Sequence, residues 1–162
     1  MKKIALFVDV QNIYYTVKDG HGCHFNYREL WRQLSQDGEI VAANAYAIER
    51  NDSQQQSFQQ ILRDVGFEVK LKPYIQRADG SAKGDWDVGL TIDMMDAVND
   101  RQQDIDMVVL LSGDGDFDLL LKRINGGFGI ETVVYGVPQL TATSLIGAAT
   151  EFRPIENELL LK

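Results

Sequence analysis

Short apolar runs rich in β-branched residues alternate with segments of helical period along this 162-residue chain. This alternation predicts βαβ units, in which mostly parallel strands form a buried sheet and helices cover both of its faces. The predicted strands cover residues 4–8, 41–48, 67–71, 107–111 and 130–135. The predicted helices cover residues 27–35, 53–65, 87–98, 116–124 and 141–149. The sequence therefore indicates an α/β fold with a central sheet of about five strands.

Composition excludes several other classes of protein. A hydrophobic fraction of 44% with three prolines argues against disorder, and no linker or repeat divides the chain, so we expect one domain over residues 1–162. The apolar runs are far shorter than the ~20 residues that span a bilayer, and the run at 4–8 is too short for a signal peptide, so we expect no membrane association. One cysteine, Cys23, fits a reducing compartment, and we expect a cytoplasmic protein.

Acidic side chains follow two of the predicted strands. Ligands of parallel α/β sheets bind beyond the carboxyl ends of the strands, so residues at these positions are site candidates. Asp9 follows the first strand, and Asp114 and Asp116 follow the strand at 107–111, each beside a glycine. A helix N-cap accounts for Asp9 equally well. A tight turn alone does not require two acids around a glycine at the end of a core strand.

A third acidic segment opens the helix predicted at 87–98. Asp85 and Asp87 lie at its start, where the helix dipole favours acids, so capping and a functional role explain them equally well. Asp93 falls on the same helical face as Asp96 and Asp100, which is a solvent-facing pattern. Asp93 is therefore a weaker site candidate than Asp87.

The negative charge of the chain is concentrated in this region. Residues 79–118 contain 11 of the 24 acidic side chains and two basic ones, a net charge of −9 in a chain of net charge −8. Carboxylates that converge at one sheet edge repel one another unless a cation compensates. Oxygen ligands with little His or Cys suit Mg²⁺ or Mn²⁺, and the chemistry that such a site supports is metal-assisted phosphodiester hydrolysis.

Three blocks of the sequence resemble the NYN domain of the LabA-like group, within the PIN-like nuclease superfamily. They are Asp9-x-x-Asn12, the segment 83–93, and Ser112-Gly113-Asp114-Gly115-Asp116-Phe117, and they occur in the order typical of that family. The resemblance implies a three-layer α/β/α sandwich of PIN-like or Rossmann-like type. It also implies a ribonuclease site of clustered aspartates that depends on Mg²⁺ or Mn²⁺.

The resemblance also assigns roles to individual residues. It implies four metal ligands and catalytic acids, namely Asp9, Asp87, Asp114 and Asp116. Asn12 matches the polar residue that supports the first acid and is counted with the catalytic set. Lys83 and Ser112 match a phosphate-contacting base and a small hydroxyl residue, and Asp93 matches a recurring helical acid. The family spaces its Lys and first helical Asp three residues apart, whereas Lys83 and Asp87 are four apart, so Asp85 and Asp87 both remain candidate ligands.

Basic and aromatic residues are interleaved just before the third acidic segment. Four bases fall within 14 residues, with two aromatic side chains among them: Lys70, Lys72, Arg77, Lys83, Tyr74 and Trp86. Such a segment suits single-stranded RNA, whose bases stack on rings, although a solvated strand edge explains it as well. Tyr14 is a further candidate substrate-binding residue, because its ring follows Asp9 closely in sequence.

The leading hypothesis is a Mg²⁺- or Mn²⁺-dependent ribonuclease that hydrolyses single-stranded RNA. One alternative is a non-catalytic RNA-binding or regulatory module on the same fold. A third is a small-molecule phosphohydrolase, although the sequence after Asp9 lacks the second acid that such enzymes use. A homodimer is also possible through apolar residues near the C-terminus: Leu140, Leu145, Ile146 and Leu159-Leu160-Leu161.

Overall fold

A parallel sheet of six strands forms the centre of the computed structural model, which describes residues 1–49, 52–73, 75–76, 82–83 and 85–162, with backbone alone at 73, 75–76 and 82–83. The strand order is β4-β3-β1-β7-β8-β9, and every neighbouring pair is parallel. The six strands are β1 (Lys2–Asp9), β3 (Gly38–Glu49), β4 (Glu68–Pro73), β7 (Met107–Leu111), β8 (Glu131–Gly136) and β9 (Glu151–Pro154). The α/β prediction with a central, mostly parallel sheet is thus confirmed, with one strand more than expected.

Within the described part of the chain, six helices cover the two faces of this sheet. They are α1 (Val10–His21), α2 (Tyr27–Asp37), α3 (Ser53–Val65), α4 (Asp87–Asn99), α5 (Asp118–Phe128) and α6 (Thr143–Ala148). Among the described residues, four two-residue strands pair outside the main sheet: β2 (His24–Phe25) with β10 (Leu160–Leu161), and β5 (Ile75–Gln76) with β6 (Ala82–Lys83). None of the helices in the described ranges is long and apolar enough to cross a membrane.

The period of two in β1 divides the core into two halves. Ile4, Leu6 and Val8 pack with the helices α1, α2 and α3 on one face, whereas Ala5 and Phe7 pack with α4, α5 and α6 on the other. Both faces of β1 are buried, which is why its sequence is a continuous apolar run. The predicted three-layer sandwich follows directly from this division.

The order of the strands fixes where a ligand site can form. From β1 the chain first builds outward through β3 and β4, and then returns to the opposite side of β1 to build β7, β8 and β9. The direction of winding therefore reverses between β1 and β7. Crevices for ligands form at such switch points, beyond the carboxyl ends of the two strands.

Several element boundaries differ from the predicted ones. The helix predicted at 116–124 is a 3₁₀ turn over Gly115–Phe117 followed by α5, which continues through Gly126 and Gly127. The prediction contained neither α1 nor β9. The apolar residues near the C-terminus, considered above as dimer surface, are divided: Leu145 and Leu159 are buried within the chain's own core, while Leu161 is exposed.

Candidate metal centre

Three carboxylates from three separate segments meet at the switch point between β1 and β7. Each of Asp9, Asp87 and Asp114 offers one oxygen, and these oxygens all lie within 4.8 Å of one another. Asp9 ends β1, Asp87 begins α4, and Asp114 lies in the loop after β7. Because the cluster depends on three elements that are remote in sequence, it forms only in the folded chain.

Asp9 has a structural role in addition to its place in the cluster. It is the N-cap of α1, where its Oδ1 accepts a hydrogen bond of 3.4 Å from the backbone N–H of Asn12. Its other oxygen, Oδ2, accepts a hydrogen bond of 3.2 Å from the hydroxyl of Ser112. Asp9 therefore caps α1 and also belongs to the carboxylate cluster. The two contacts fix the orientation of the carboxylate.

The buried hydroxyl of Ser112 connects two of the three acids. Besides donating to Asp9, its Oγ accepts a hydrogen bond of 3.1 Å from the backbone N–H of Asp114. The side-chain oxygen of Asn12 accepts a 2.8 Å hydrogen bond from the N–H of Gly113, which ties the start of α1 to the same loop. The loop after β7 is thus attached to β1 and α1 by side chains that the sequence had marked as site candidates.

Asp87 is positioned by the residues that precede α4. Its backbone N–H donates a 3.3 Å hydrogen bond to Oδ1 of Asp85, and the indole N–H of Trp86 donates a 2.8 Å hydrogen bond to the carbonyl of Ala47 in β3. The ammonium group of Lys72 lies 4.7 Å from the centre of the Trp86 ring and donates a 3.1 Å hydrogen bond to the carbonyl of Asp85. These contacts fasten the start of α4 to β3 and β4.

The surroundings of the cluster raise the pKa of two of its carboxyl groups. Burial raises the pKa of Asp9 to about 6, against the lowering effect of its hydrogen bonds with Asn12 and Ser112. Burial and the charge of Asp114 raise the pKa of Asp87 to about 7. Both shifts mean that ionising these groups together costs free energy. A divalent cation with a preference for oxygen ligands would remove that cost, so the residues fit Mg²⁺ or Mn²⁺.

The remaining acidic site candidates lie around the cluster rather than in it. Asp116 is exposed, is not among the three carboxylates within 4.8 Å, and donates its backbone N–H to Asp114 Oδ1 at 2.9 Å. Asp85 is also exposed, and its charge acts on both Asp9 and Asp87. Of these two candidate ligands, Asp87 is the one whose carboxylate lies with those of Asp9 and Asp114.

Asp93 forms contacts that a solvent-facing pattern does not predict. Its Oδ2 accepts hydrogen bonds from the hydroxyl of Tyr46 at 2.8 Å and from the ammonium group of Lys70 at 2.7 Å. Lys70 and Lys72, which the sequence offered as RNA contacts, are therefore both engaged within the chain. The pairing of Asp93 with Tyr46 has one signal in the sequence, which is a tyrosine hydroxyl within an otherwise apolar strand.

The structure describes four other candidates to different extents. Tyr14 is exposed on α1, in the first turns after Asp9. Lys83 belongs to β6 by its backbone, and its side chain lies outside the described part of the chain. Tyr74 and Arg77 also lie outside the described residues.

Comparisons with known proteins agree with this architecture. The NYN domain family matches residues 3–156. Low amplitude and bright protein LabA of Synechococcus elongatus is 28% identical over 130 residues, which cover 75% of this chain and 67% of LabA. A crystal structure of a Vibrio parahaemolyticus protein of unknown function is 51% identical, with a TM-score of 0.91, and the match covers 99% of this chain and 96% of that one.

Proposed function

The chain belongs to the NYN domain family, and from that premise we propose that it is a ribonuclease that requires Mg²⁺ or Mn²⁺ and cleaves single-stranded RNA. The observation that carries the proposal is the meeting of Asp9, Asp87 and Asp114 within 4.8 Å at the switch point of the sheet. The similarity to LabA supports assignment to the same group of proteins.

Each acid of the cluster has a defined role in this proposal. Asp9, Asp87 and Asp114 would hold the cation, which when bound lowers the pKa of a water molecule and neutralises charge on the scissile phosphate. Ser112 and Asn12 hold Asp9 and the 113–114 loop in fixed relative positions through the hydrogen bonds described above. No nucleophilic side chain is required, because water attacks the phosphodiester.

Asp116, which the family resemblance implies as a direct ligand, takes a different role in this proposal. Its exposed carboxylate, in the 3₁₀ turn beyond Asp114, would approach a cation through an intervening water. Lys83 would contact a phosphate of the substrate on the side where α4 begins. Both assignments are part of the proposal.

The test is cleavage of a labelled single-stranded RNA by the purified protein with Mn²⁺. We expect cleavage by the wild-type chain, its loss in EDTA, and a fall to background in Asp114→Asn, which keeps the size of the side chain but removes its charge. Asp96→Asn is the matched control, because Asp96 is an exposed acid of α4 outside the cluster. Cleavage that persists in Asp114→Asn would contradict the mechanism.

A second candidate function is RNA binding without turnover. It is favoured by the position of Asp116, which leaves three clustered carboxylates among the described residues, whereas the family resemblance implies four metal ligands. RNA cleavage and RNA binding by the wild-type protein and by Asp9→Asn distinguish the two functions. Binding of RNA by wild-type protein with no cleavage in Mn²⁺ or Mg²⁺, and unchanged affinity in Asp9→Asn, would favour the binding module.

A further inference from the structure

An exposed aromatic and polar stripe runs along α1, the helix that begins directly after Asp9. It consists of Gln11, Tyr14, Tyr15 and Lys18, which at about 100° per residue fall within about 100° of one another on the helix. The opposite face of α1 is buried through Val10, Ile13 and Val17. The two tyrosines are 39% and 51% exposed, so burial in the core does not explain their presence.

The aromatic rings of this stripe form a continuous group with a neighbouring histidine. The rings of Tyr14 and Tyr15 meet edge to face with centroids 5.3 Å apart. The ring of exposed His24, in β2, lies 5.8 Å from that of Tyr14 at an interplanar angle of 27°. The ammonium group of Lys18 is 5.7 Å from the Tyr14 centroid. Contacts among the members hold the rings in place while leaving ring area open to solvent.

The stripe begins close to the candidate metal centre along the axis of α1. Tyr14 is five residues after Asp9, which corresponds to about 7.5 Å along the helix axis. A chain that has one phosphate at the cluster would therefore pass over the stripe within a few nucleotides. Lys18 carries a positive charge that complements phosphate, whereas the cluster itself is acidic.

We infer that the α1 stripe, together with His24, is a stacking surface for unpaired bases of the RNA strand that enters the metal centre. The inference rests on the proposed function and deepens it, because it assigns the side of the molecule on which the substrate lies and the reason for a single-stranded substrate. Unpaired bases expose their faces to aromatic rings, whereas the bases of a duplex are stacked on one another.

The test measures RNA affinity in a chain that does not cleave. All variants carry Asp114→Asn, and binding of a fluorescent single-stranded RNA is followed by fluorescence polarisation. We expect Tyr14→Leu and Tyr15→Leu each to weaken binding by about fivefold or more, because stacking contributes appreciably to the affinity for each base. Tyr14→Phe retains the ring and is expected to bind as the parent does.

Two controls separate stacking from other effects. Ile92→Ala removes a side chain that is 54% exposed on α4, on the other face of the sheet, and should leave the affinity unchanged. An abasic strand with the same phosphates should bind Tyr14→Leu and its parent equally, because it has no bases to stack. Thermal unfolding of each variant shows whether it is folded.

Different outcomes would contradict the stacking surface or the ribonuclease activity on which it rests. Equal affinity of the parent and both leucine variants, with cleavage intact in the wild-type chain, would overturn the stacking surface and leave the ribonuclease in place. A wild-type chain that neither binds nor cleaves RNA would contradict both the stacking surface and the ribonuclease activity. Unchanged RNA affinity with loss of self-association in the leucine variants, measured by sedimentation, would make the stripe a protein interface and overturn the inference.

Discussion

The side-chain oxygen of Asn12 accepts a hydrogen bond of 2.8 Å from the backbone N–H of Gly113, a residue 101 positions away in the chain. This bond crosses the switch point of the sheet, and it ties the first turn of α1 to the loop that carries Asp114. Asn12, which the sequence marks as a partner of Asp9, therefore also holds the loop that follows β7.

Loss of the bond between Asn12 and Gly113 should weaken metal binding. Asn12→Ala should lower the affinity for Mn²⁺ by about 10- to 100-fold, a loss typical of groups that orient metal ligands, and should lower the free energy of unfolding by about 1 kcal/mol. Calorimetric titration and urea unfolding measure the two effects. Asn99→Ala, at an exposed position at the end of α4, should change neither affinity nor site geometry. Equal Mn²⁺ affinity in Asn12→Ala would show that the bond does not position Asp114.

A bound cation should stabilise the fold through the three carboxylates. At a free Mn²⁺ concentration of 100 Kd, linkage gives about 2.7 kcal/mol, which for a chain of this size raises Tm by about 5–10 °C. Differential scanning calorimetry should show this rise in wild-type protein and in Asp96→Asn. The rise should be lost in Asp114→Asn. A similar rise in all three proteins would place the cation elsewhere.

The raised pKa values predict how the metal-free protein responds to pH. A carboxyl group whose pKa is higher in the folded than in the unfolded state stabilises the fold at low pH, and this stabilisation is lost as pH rises from its ordinary value towards its folded one. For Asp9 and Asp87 the ordinary value is 3.8 and the folded values are about 6 and about 7. Their contribution to stability therefore falls between about pH 4 and pH 7.

The measurement compares urea unfolding of wild-type protein and Asp87→Asn in EDTA over that range. Relative to the wild type, the variant should gain on the order of 1 kcal/mol as pH rises from about 4 to about 7, a modest effect because Asp87 is only partly buried and solvent screens it. Because Asp87 is still half protonated at its folded pKa, the difference should become constant only above about pH 8. A difference that does not depend on pH would contradict the raised pKa values.

The sheet and the approximate place of the carboxylate cluster are predictable from the sequence for a physical reason. A buried parallel strand is a continuous apolar run, so the first polar residue after it marks the carboxyl end of the strand. Asp9 and the 112–116 loop were recognisable in this way. The strand β9 was missed because it is short, with the sequence EFRP, and lies at the sheet edge, where no apolar run is needed.

Other features depend on tertiary contacts that no local pattern contains. The 3₁₀ turn over Gly115–Phe117 separates Asp116 from the cluster although the two acids of the loop are only two residues apart. Asp93 lies on a helical face shared with Asp96 and Asp100, yet it pairs with Lys70 of β4 and with Tyr46 of β3. Helical periodicity cannot reveal which residue of a polar face meets a neighbouring element.

The contacts of Asp93 predict that it positions α4 rather than binding the cation. Asp93→Ala leaves the buried hydroxyl of Tyr46 and the ammonium group of Lys70 without this acceptor, so we expect a loss of about 1–3 kcal/mol in the free energy of unfolding. Tyr46→Phe removes only one donor and should cost about 1 kcal/mol. The two losses should be less than additive in the double variant, because both remove the same bond.

Mn²⁺ titration of the same proteins separates positioning from ligation. If Asp93 only positions α4, Asp93→Ala and Tyr46→Phe should lower the affinity for Mn²⁺ to a similar extent, because both remove the bond between Asp93 and Tyr46. A ligand would instead lose Mn²⁺ affinity far more in Asp93→Ala than in Tyr46→Phe. That second pattern would return Asp93 to the metal-binding set.

Gly113 lies so close to a neighbouring loop that a side chain there should disturb the site. A Cβ at this position would lie 2.5 Å from the backbone carbonyl oxygen of Leu140. That oxygen cannot move alone, since the backbone around it is linked to the same loop: the N–H of Ala142 donates a 3.0 Å hydrogen bond to the carbonyl of Gly113. Gly113→Ala should therefore cost about 1–3 kcal/mol, as overpacking typically does, and should weaken Mn²⁺ binding by displacing Asp114.

Gly126→Ala provides the matched comparison, because a Cβ there meets nothing within 4 Å and the residue lies inside α5. Alanine is favoured over glycine within a helix, so this variant should be more stable by about 0.5–1 kcal/mol and should bind Mn²⁺ normally. Urea unfolding and Mn²⁺ titration of the two variants test the contrast. If Gly113→Ala matches the wild type in both measurements, the loop can shift without moving Asp114, and the close approach to Leu140 does not determine the geometry of the carboxylate cluster.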